Sequence, residues 1–330
     1  MRVQVSLSVY EHAARFVGRS PWEVSRDGEL LMAAHKAAYK RYRHTPVVVG
    51  IDIYNLEAEA YGCTIERPDG NGIPAVTEHI CAAPADIANL PPIDARSSGR
   101  FPMVIEAAVR IKQALPEADI RVPLSGPFSI ASSLLGLNAL LTAVILDTSA
   151  LRDALCRLSD GQVRLADSIR RAGLNVAFFE SAAAPPLLSP CHFREVELPA
   201  LKRAIRGVSE ILGQAVPCII GGDTAPILDD LMQTGTAFVI CPSETDRTAF
   251  MAGMRAYPEV RVRVNLSPEI YSRGTRRDIQ SEIDSVVPLA AGREELLLGT
   301  GAIPYETPVE NILFILDYAR RLNGPPQTAI

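Results

Sequence analysis

Short runs of β-branched and other apolar residues alternate along the chain with segments in which apolar residues recur every three or four positions. Seven runs have the character of buried β-strands: residues 47–54, 120–125, 175–181, 216–223, 237–243, 260–268 and 295–301. A regular tandem of strand–helix units closes more naturally as a barrel than as an open sheet. The pattern therefore predicts an α/β fold, a single (β/α)8 barrel of the TIM type, with one strand not located.

Two stretches do not fit this alternation. About residues 1–45 are predicted to form a helical amino-terminal arm, with the helical pattern between residues 10 and 43. About residues 63–100 combine a hairpin around residues 69–72 with a proline-rich excursion. We expect both stretches to cover the barrel mouth or to contact a partner. Because no internal repeat or low-complexity tract divides the chain, residues 1–330 are treated as one domain.

The composition narrows the classes of partner. The chain has 330 residues, with 33 Lys and Arg against 38 Asp and Glu, so its formal charge of −5 argues against a protein that coats polyanions. Hydrophobic residues make up 48% and the mean hydropathy is +0.12, which favours a large core. The nine Phe, nine Tyr and one Trp are not interleaved with clusters of Lys or Arg. We therefore expect no nucleic-acid partner.

One segment is apolar enough to raise the question of a membrane. Residues 122–146 carry no charge over 25 positions, a length that could span a bilayer as one helix. Pro123, Gly126 and Pro127 interrupt it, which favours a buried strand, a turn and an internal helix. The amino terminus has no apolar run of signal-peptide length, and the six cysteines show no CxxC pair. We expect a cytoplasmic protein with reduced thiols and no membrane association.

Polar residues at the carboxyl ends of barrel strands are the candidates for chemistry, because the loops of such barrels converge there. Asp52 lies in the apolar run VVVGIDIY, where an unpaired carboxylate is costly to bury, and Glu180 follows Phe178 and Phe179 in the same way. Each is a candidate for proton transfer or ligand binding; the alternative is a carboxylate that stabilises a loop. The other candidates at these ends are Asn55, Glu57, Ser181, Asp223, Asn265, Thr300 and Tyr305.

A metal site is a further candidate. Cys218 and Cys241 fall near the ends of consecutive predicted strands, so their thiolates could meet over the barrel and hold zinc together with His192 or a carboxylate. The alternative is simple burial, because free cysteines are among the residues most often found in cores.

Five stretches, in order, resemble the uroporphyrinogen decarboxylase superfamily, which includes corrinoid-linked methyltransferases. They are VVVGIDIYNLEAEAYGC, VPLSGPFSIASSLLG, FFESAAAPPLLSP, VPCIIGGDTAPILDDLMQTGTAFVI and LLGTGAIPYETPVENI. The resemblance spans roughly residues 10–320. It implies one (β/α)8 barrel whose mouth receives either a tetrapyrrole or a methylated corrinoid and a small acceptor.

The decarboxylase pattern is matched only in part. The resemblance places its first-strand aspartate on Asp52 and the serine of its FES turn on Ser181. The arginine-rich amino-terminal segment that holds substrate carboxylates is absent, and a tyrosine and a histidine of the pattern fall on Ser133 and Thr300. We expect an acidic mouth, which does not suit a substrate with eight carboxylates.

The methyltransferase branch is more similar, through the VGID, GPFSIA and TPVENI stretches. In that branch zinc lowers the pKa of an acceptor thiol. Its HxCG ligand motif reads here Cys218, Ile219, Ile220 and Gly221, and the later cysteine falls on Gly301 or Ala302. The resemblance thus implies either another ligand set, such as Cys218 with Cys241, Glu180 or His192, or chemistry without zinc.

The leading hypothesis is transfer of a methyl group between a corrinoid and a small substrate. Asp52 would orient or protonate that substrate, and Glu180 and Ser181 would bind it. A corrinoid protein is a candidate partner, and the chain is expected to be a monomer or a homodimer. One alternative is decarboxylation of a smaller acid, with the carboxylate held by Arg100, Arg261, Arg263 or Arg273. The other is a non-catalytic barrel that binds a tetrapyrrole or another small ligand.

Overall fold

The computed structural model describes residues 1–324. The strands are β1 (Arg2–Ser8), β2 (Val47–Val48), β3 (Thr64–Glu66), β4 (Ala75–Glu78), β5 (Ile120–Ser125), β6 (Asn175–Phe179), β7 (Cys218–Ile219), β8 (Phe238–Cys241), β9 (Arg261–Asn265) and β10 (Glu295–Ala302). The helices are α1 (His12–Arg15), α2 (Pro21–Ser25), α3 (Gly28–Tyr42), α4 (Leu56–Tyr61), α5 (Pro84–Ile87), α6 (Phe101–Ala114), α7 (Pro127–Leu135), α8 (Leu137–Leu146), α9 (Thr148–Arg171), α10 (Pro190–His192), α11 (Leu198–Leu212), α12 (Leu228–Met232), α13 (Arg247–Gly253), α14 (Pro268–Arg273), α15 (Arg276–Val286) and α16 (Val309–Leu322).

Eight parallel strands form a nearly closed barrel in the order β1-β10-β9-β8-β7-β6-β5-β2. Helices surround it, and the large apolar core lies between the strands and these helices. A smaller apolar cluster fills part of the barrel interior, where Tyr10, Val48 and Phe179 meet. The predicted (β/α)8 barrel is confirmed.

The strand that the sequence pattern did not locate is β1, inside the predicted helical arm. Its outward residues Val3 and Leu7 are buried in the large core, whereas Gln4 and Ser8 face the barrel interior. Polar residues on the inner face gave the segment no continuous apolar run. The prediction that residues 1–45 form only an arm is therefore wrong for residues 2–8, and helices begin at His12.

The uncharged segment 122–146 contains β5 followed by two helices. Helix α7 ends and α8 begins at Gly136, whose φ of 77° and ψ of 150° turn the chain sharply. In the described part of the chain, no single helix has the length and apolarity to cross a membrane. The pair α7–α8 reaches that length only when taken together, and it is bent by 114°.

The excursion after β2 reaches over the carboxyl side of the barrel. Strands β3 and β4 pair antiparallel as the predicted hairpin. At its tip, Nδ2 of Asn71 donates a hydrogen bond of 2.8 Å to Oε1 of Glu306, which lies in the loop after β10. The hairpin therefore spans from the β2 side of the mouth to the β10 side.

Candidate active site

A cavity of about 260 Å³ opens at the carboxyl ends of the strands. The strand ends and the loops after them supply its walls: Ser8, Tyr10, Tyr54, Phe179, Ser181, Ile240, Arg263, Asn265 and Thr300. Ligand pockets for drug-sized molecules typically span about 300 to 1,000 Å³. This mouth cavity therefore suits a small ligand, and it is too small to enclose a tetrapyrrole.

Three aromatic rings form one wall of the mouth cavity. The ring of Phe179 is 5.9 Å from that of Tyr10 and 5.9 Å from that of Tyr54, and both pairs meet edge to face. Such contacts fix ring orientation and add to the energy of apolar burial. The wall presents an apolar surface with two phenol groups at its edge.

The opposite wall carries a buried cation, Arg263, which is 5% exposed. Its Nε donates to Oδ1 of Asn265 at 3.1 Å, and its Nη1 donates to Oγ of Ser8 at 3.2 Å. Burial lowers the pKa of the guanidinium, which nevertheless remains a cation because free arginine titrates above about 12. The expectation of an acidic mouth is thus wrong for its buried part; a carboxylate, Glu244, lies only on the exposed rim.

Asp52 is buried outside the mouth cavity. Arg100 donates to both of its carboxylate oxygens, from Nη1 to Oδ1 and from Nη2 to Oδ2, each at 2.7 Å. Nδ2 of Asn55 adds a hydrogen bond of 3.2 Å to Oδ2. The guanidinium also contacts Glu59 and the carbonyl oxygen of Ser25. The arrangement fixes the start of α6 against the loop after β2.

Asn55 and Glu57 also serve this region rather than the cavity wall. Asn55 donates a bond of 2.6 Å to the carbonyl oxygen of Pro74 in the excursion. The buried carboxylate of Glu57 accepts from the backbone N–H of Ser125 at 2.8 Å and from Nε2 of Gln162 at 2.8 Å. Burial raises the pKa of Glu57, and these donors oppose that effect. The two side chains hold α4 and the end of β5 in place.

Glu180 faces the helical layer, because Phe179 before it faces the barrel interior. Its carboxylate accepts from the backbone N–H groups of Phe128 at 3.1 Å and Ser129 at 2.9 Å, and from the Ser129 hydroxyl. Oγ of Ser129 in turn accepts from the backbone N–H of Ser181 at 2.9 Å. Glu180 is thus connected to the cavity wall through Ser129 and the turn that carries Ser181.

A second buried carboxyl group, Glu197, lies beside Glu180. Burial raises the pKa of Glu180 to about 7, and burial together with the Glu180 charge raises the pKa of Glu197 well above its usual value. Both carboxyl oxygens of Glu197 are buried, and neither has a hydrogen-bond donor within residues 1–324. Burial and the neighbouring charge thus raise the pKa of Glu197 more than that of Glu180, which favours the proton of the pair on Glu197.

The remaining predicted binding residues are divided between cavity and rim. Asn265 and Thr300 line the cavity, and Oγ1 of Thr300 accepts from the backbone N–H of Ser8 at 3.2 Å. Oδ1 of Asp223 accepts from the hydroxyl of Thr245 at 2.7 Å, which joins the loops after β7 and β8. Tyr305 lies in the loop after β10, away from the cavity lining.

The predicted metal ligands are not brought together. Cys218 and Cys241 face the helical layer and belong to the large core, so their thiols do not meet over the barrel. Burial raises the pKa of Cys241 to about 12 and that of Cys218 further, which opposes thiolate formation. His192 ends the short helix α10, and its ring contacts Ser189 at the start of that helix. Among the residues that the structure describes, no group of three or more His, Cys, Asp or Glu side chains could hold a metal ion. These residues do not fit zinc.

A second cavity, of about 420 Å³, lies at the amino-terminal ends of the strands. Arg263 borders this cavity as well as the mouth cavity, and the other arginines that line it are paired: Nε of Arg121 donates to Asp119 at 2.7 Å, and Nε of Arg261 donates to Glu295 at 2.7 Å. In barrels of this type the amino-terminal face serves stability, and ligands bind at the carboxyl face. We therefore assign the candidate site to the mouth cavity.

Residues that the sequence did not single out supply much of this site. Tyr10 and Ser8 belong to the strand that was not located, and Tyr54 follows the short β2. Arg263 was only one of four arginines considered for a carboxylate. Period-two alternation in VRVRVN places Arg261, Arg263 and Asn265 on one face of the strand, and of the two arginines Arg263 is nearer the carboxyl end.

A (β/α)8 barrel with a small polar and aromatic cavity at the carboxyl ends of its strands is built to bind or transform a small molecule there. The chain belongs to the uroporphyrinogen decarboxylase (URO-D) family, whose model matches residues 1–322.

The relatives of this chain are named for two activities, methyl transfer and decarboxylation. A methylcobamide:CoM methyltransferase, MtaA, from Methanosarcina barkeri is 28% identical over 260 residues, which cover 77% of this chain and 73% of that protein. A uroporphyrinogen decarboxylase from Nostoc punctiforme is 29% identical over 181 residues, or 54% of this chain and 49% of that protein. The solved structure of a methyltransferase from Methanosarcina mazei has the same fold, with a TM-score of 0.81, 23% identity, and coverage of 98% of this chain and 94% of that one.

Proposed function

We propose that this protein is a methyltransferase that moves a methyl group between a corrinoid and a small substrate bound in the mouth cavity. The observation that carries the proposal is the similarity to a methylcobamide:CoM methyltransferase over 77% of the chain. The cavity supports it, because its volume of about 260 Å³ suits a small acceptor or donor and not a whole macrocycle. A corrinoid would supply a methyl group bonded to cobalt.

The rim of the cavity fits a corrinoid lying across it. Exposed apolar side chains stand around the mouth: Tyr54 is 39% exposed, Ile73 in the hairpin is 50% exposed and Leu187 in the loop after β6 is 45% exposed. Large exposed apolar groups beside a cavity are typical of surfaces that receive a partner or a ligand. The proposed partner is accordingly a corrinoid protein that presents its cofactor to this rim.

Within the cavity, the proposed substrate ligands are Ser181, Asn265 and Thr300, joined by Tyr10, Tyr54 and Arg263. Asp52 and Glu180 would act as positioning residues, because their carboxylates are held by Arg100 and by the start of α7 outside the cavity. No step is assigned to zinc, since the available donors do not converge. The aromatic wall would exclude water from the reacting group.

Decarboxylation of a small acid is less well supported than methyl transfer. The aspartate that the decarboxylase pattern places on Asp52 is bound on both oxygens by Arg100 and does not line the mouth cavity. A carboxylate held in this way has no direct contact with a substrate in the cavity.

The test is a spectroscopic assay with methylcobalamin and a panel of small thiols and acids. We expect loss of the methylcobalamin spectrum that depends on both the protein and one class of acceptor. Replacing Asn265, which lines the cavity, by Ala should slow the reaction at least about tenfold, a loss of about 1.4 kcal/mol in transition-state stabilisation. Asn138→Ala, on the exposed surface of α8, is the matched control and should retain full activity. Carbon dioxide released from an acid without any corrinoid would contradict the proposal.

A further inference from the structure

Arg263 is a buried cation with unused hydrogen-bonding capacity. A guanidinium has five N–H donors, and the bonds to Asn265 and Ser8 use two of them. Within the described range 1–324, no carboxylate oxygen lies within 4.0 Å of its nitrogens. Arg100 is buried to a similar extent, but its guanidinium forms ion pairs with Asp52 and Glu59.

A buried charge without a counter-charge lowers the stability of the folded protein. Burying an ionised group without a partner costs several kcal/mol, and arginine does not escape that cost by losing its proton. The neighbouring phenol does not supply the counter-charge, because burial raises the pKa of Tyr10 far above neutrality. The compensating negative charge is therefore expected to come from outside the protein.

Arg263 borders both the mouth cavity and the cavity below it, and its hydrogen bonds hold the guanidinium near the carboxyl ends of two strands. Its two acceptors, Asn265 and Ser8, lie at the carboxyl ends of β9 and β1. The side chain reaches them across Gly299, where an added Cβ would lie 2.6 Å from Cδ of Arg263 and 2.3 Å from Oδ1 of Asn265. Only a glycine leaves this passage open.

Asn265 gives a second, independent indication of a ligand. Its Oδ1 accepts from Arg263, while its Nδ2 has no acceptor in the part of the chain that the structure describes, although the residue is only 6% exposed. Both residues line the mouth cavity. Two residues that line one cavity thus keep amide and guanidinium N–H groups without an acceptor among residues 1–324.

We infer that the mouth cavity takes a small organic acid with one planar or tetrahedral oxyanion group, a carboxylate or a sulfonate, anchored by Arg263 and Asn265. A guanidinium fork binds two oxygens of such a group at once, which adds strength and orientation. The body of the acid packs on the aromatic wall formed by Tyr10, Phe179 and Tyr54. In that wall the ring centre of Phe179 is 5.9 Å from each of the two tyrosine ring centres. The inference rests on the proposed function only for the reaction that the bound acid undergoes.

The test is direct binding without any corrinoid. Isothermal titration of the full chain with benzoate, benzenesulfonate and the uncharged analogue benzamide compares ligands that share one phenyl ring and differ in the polar group. We expect one or both anions to bind and benzamide to bind at least tenfold more weakly. Equal binding of benzamide, or no binding of either anion, would overturn the inference. The preference between the two anions identifies the oxyanion class.

Two variants connect the binding to Arg263. Arg263→Met should weaken binding of the preferred anion by about tenfold to a hundredfold, as expected for loss of hydrogen bonds to a charged group. Arg261→Met, two residues earlier on the same face of β9 and paired with Glu295, is the matched control and should bind within twofold of the wild type. If both variants bind alike, the anchor is not Arg263.

Gly299→Ala keeps the positive charge but obstructs the space through which the Arg263 side chain passes. It is the second test if Arg263→Met folds poorly. Weakened anion binding with an intact fold supports the inference, and unchanged binding contradicts it. These titrations need no methyl donor. Absence of methyl transfer therefore leaves the binding result standing, and a failed binding test leaves methyl transfer to a neutral substrate open.

Discussion

At the scale of single residues, charged groups in apolar surroundings take their roles from their partners. The carboxylate of Asp52 accepts two hydrogen bonds from Arg100, and that of Glu180 accepts from N–H groups at the start of α7. The guanidinium of Arg263 donates only to neutral groups. The first two are satisfied by the protein itself. Arg263 retains donors that can act on something else.

Replacing Asp52 by Asn is expected to reduce stability and leave ligand binding intact. The substitution leaves the buried Arg100 without a full counter-charge, which costs about 3 kcal/mol in the free energy of unfolding. Urea denaturation measures this loss. Benzoate affinity should stay within twofold of the wild type, because Asp52 does not line the mouth cavity.

The matched control is Asp317→Asn, which breaks an exposed pair with Arg321 and should cost less than about 1 kcal/mol. A stable Asp52→Asn protein that no longer binds benzoate would instead place Asp52 in the binding site.

Much of this residue-level picture lies beyond sequence reasoning. Apolar neighbours identified Asp52 and Glu180 as unusual, and the strand ends identified Ser181, Asn265 and Thr300, which do line the cavity. The direction of a side chain at a strand end depends on a register of one residue: Phe179 faces inward, so Glu180 faces outward. The partner of Asp52 is 48 residues away, and no local pattern connects the two.

At the scale of elements, sequence patterns predicted most of the strands and missed β1 for a physical reason. Barrel strands are usually recognised as continuous apolar runs, because both of their faces are buried. The inner face of β1 carries Gln4, Ser6 and Ser8, which border the two cavities instead of an apolar interior. The polar face that kept β1 from being recognised in the sequence therefore borders the part of the barrel that is open to ligand or water.

The junction of α7 and α8 depends on Gly136. Its φ of 77° with ψ of 150° is a conformation that is essentially restricted to glycine, and an added Cβ would lie 2.7 Å from Cδ2 of His79. Gly136→Ala should lower the free energy of unfolding by about 2 to 3 kcal/mol, measured by urea denaturation.

Gly213→Ala is the control at a helix end. Gly213 has φ of 68° and ψ of 19°, and no atom lies within 4 Å of its added Cβ, so a smaller cost of about 1 kcal/mol is expected. Equal costs for the two variants would mean that the α7–α8 junction can relax.

At the scale of the whole molecule, buried carboxyl groups make stability depend on pH. Burial raises the pKa of Glu11 and of Glu180 to about 7, and that of Glu197 higher still. Because these folded-state values exceed those of the unfolded chain, the associated stability is fully present below about pH 4.5. It is lost as the pH rises through 7 and above.

Glu197→Gln should flatten that dependence. A glutamine amide keeps the size of the side chain and can donate a hydrogen bond to Glu180, but it does not titrate. The fall in the free energy of unfolding between pH 5 and pH 8 should be smaller than in the wild type by at least about 1 kcal/mol. Glu195→Gln, exposed in the same segment, should retain the wild-type slope. Identical slopes in all three proteins would show that Glu197 does not carry the proton.

The barrel axis contains two spaces with one shared partition. Ser8, Tyr10, Ile219 and Arg263 border both the mouth cavity and the larger cavity below it. Of these, Arg263 has the longest flexible side chain. A ligand anchored by its guanidinium would therefore also fix the partition, so occupancy of the upper chamber and the shape of the lower one would be linked through a single side chain.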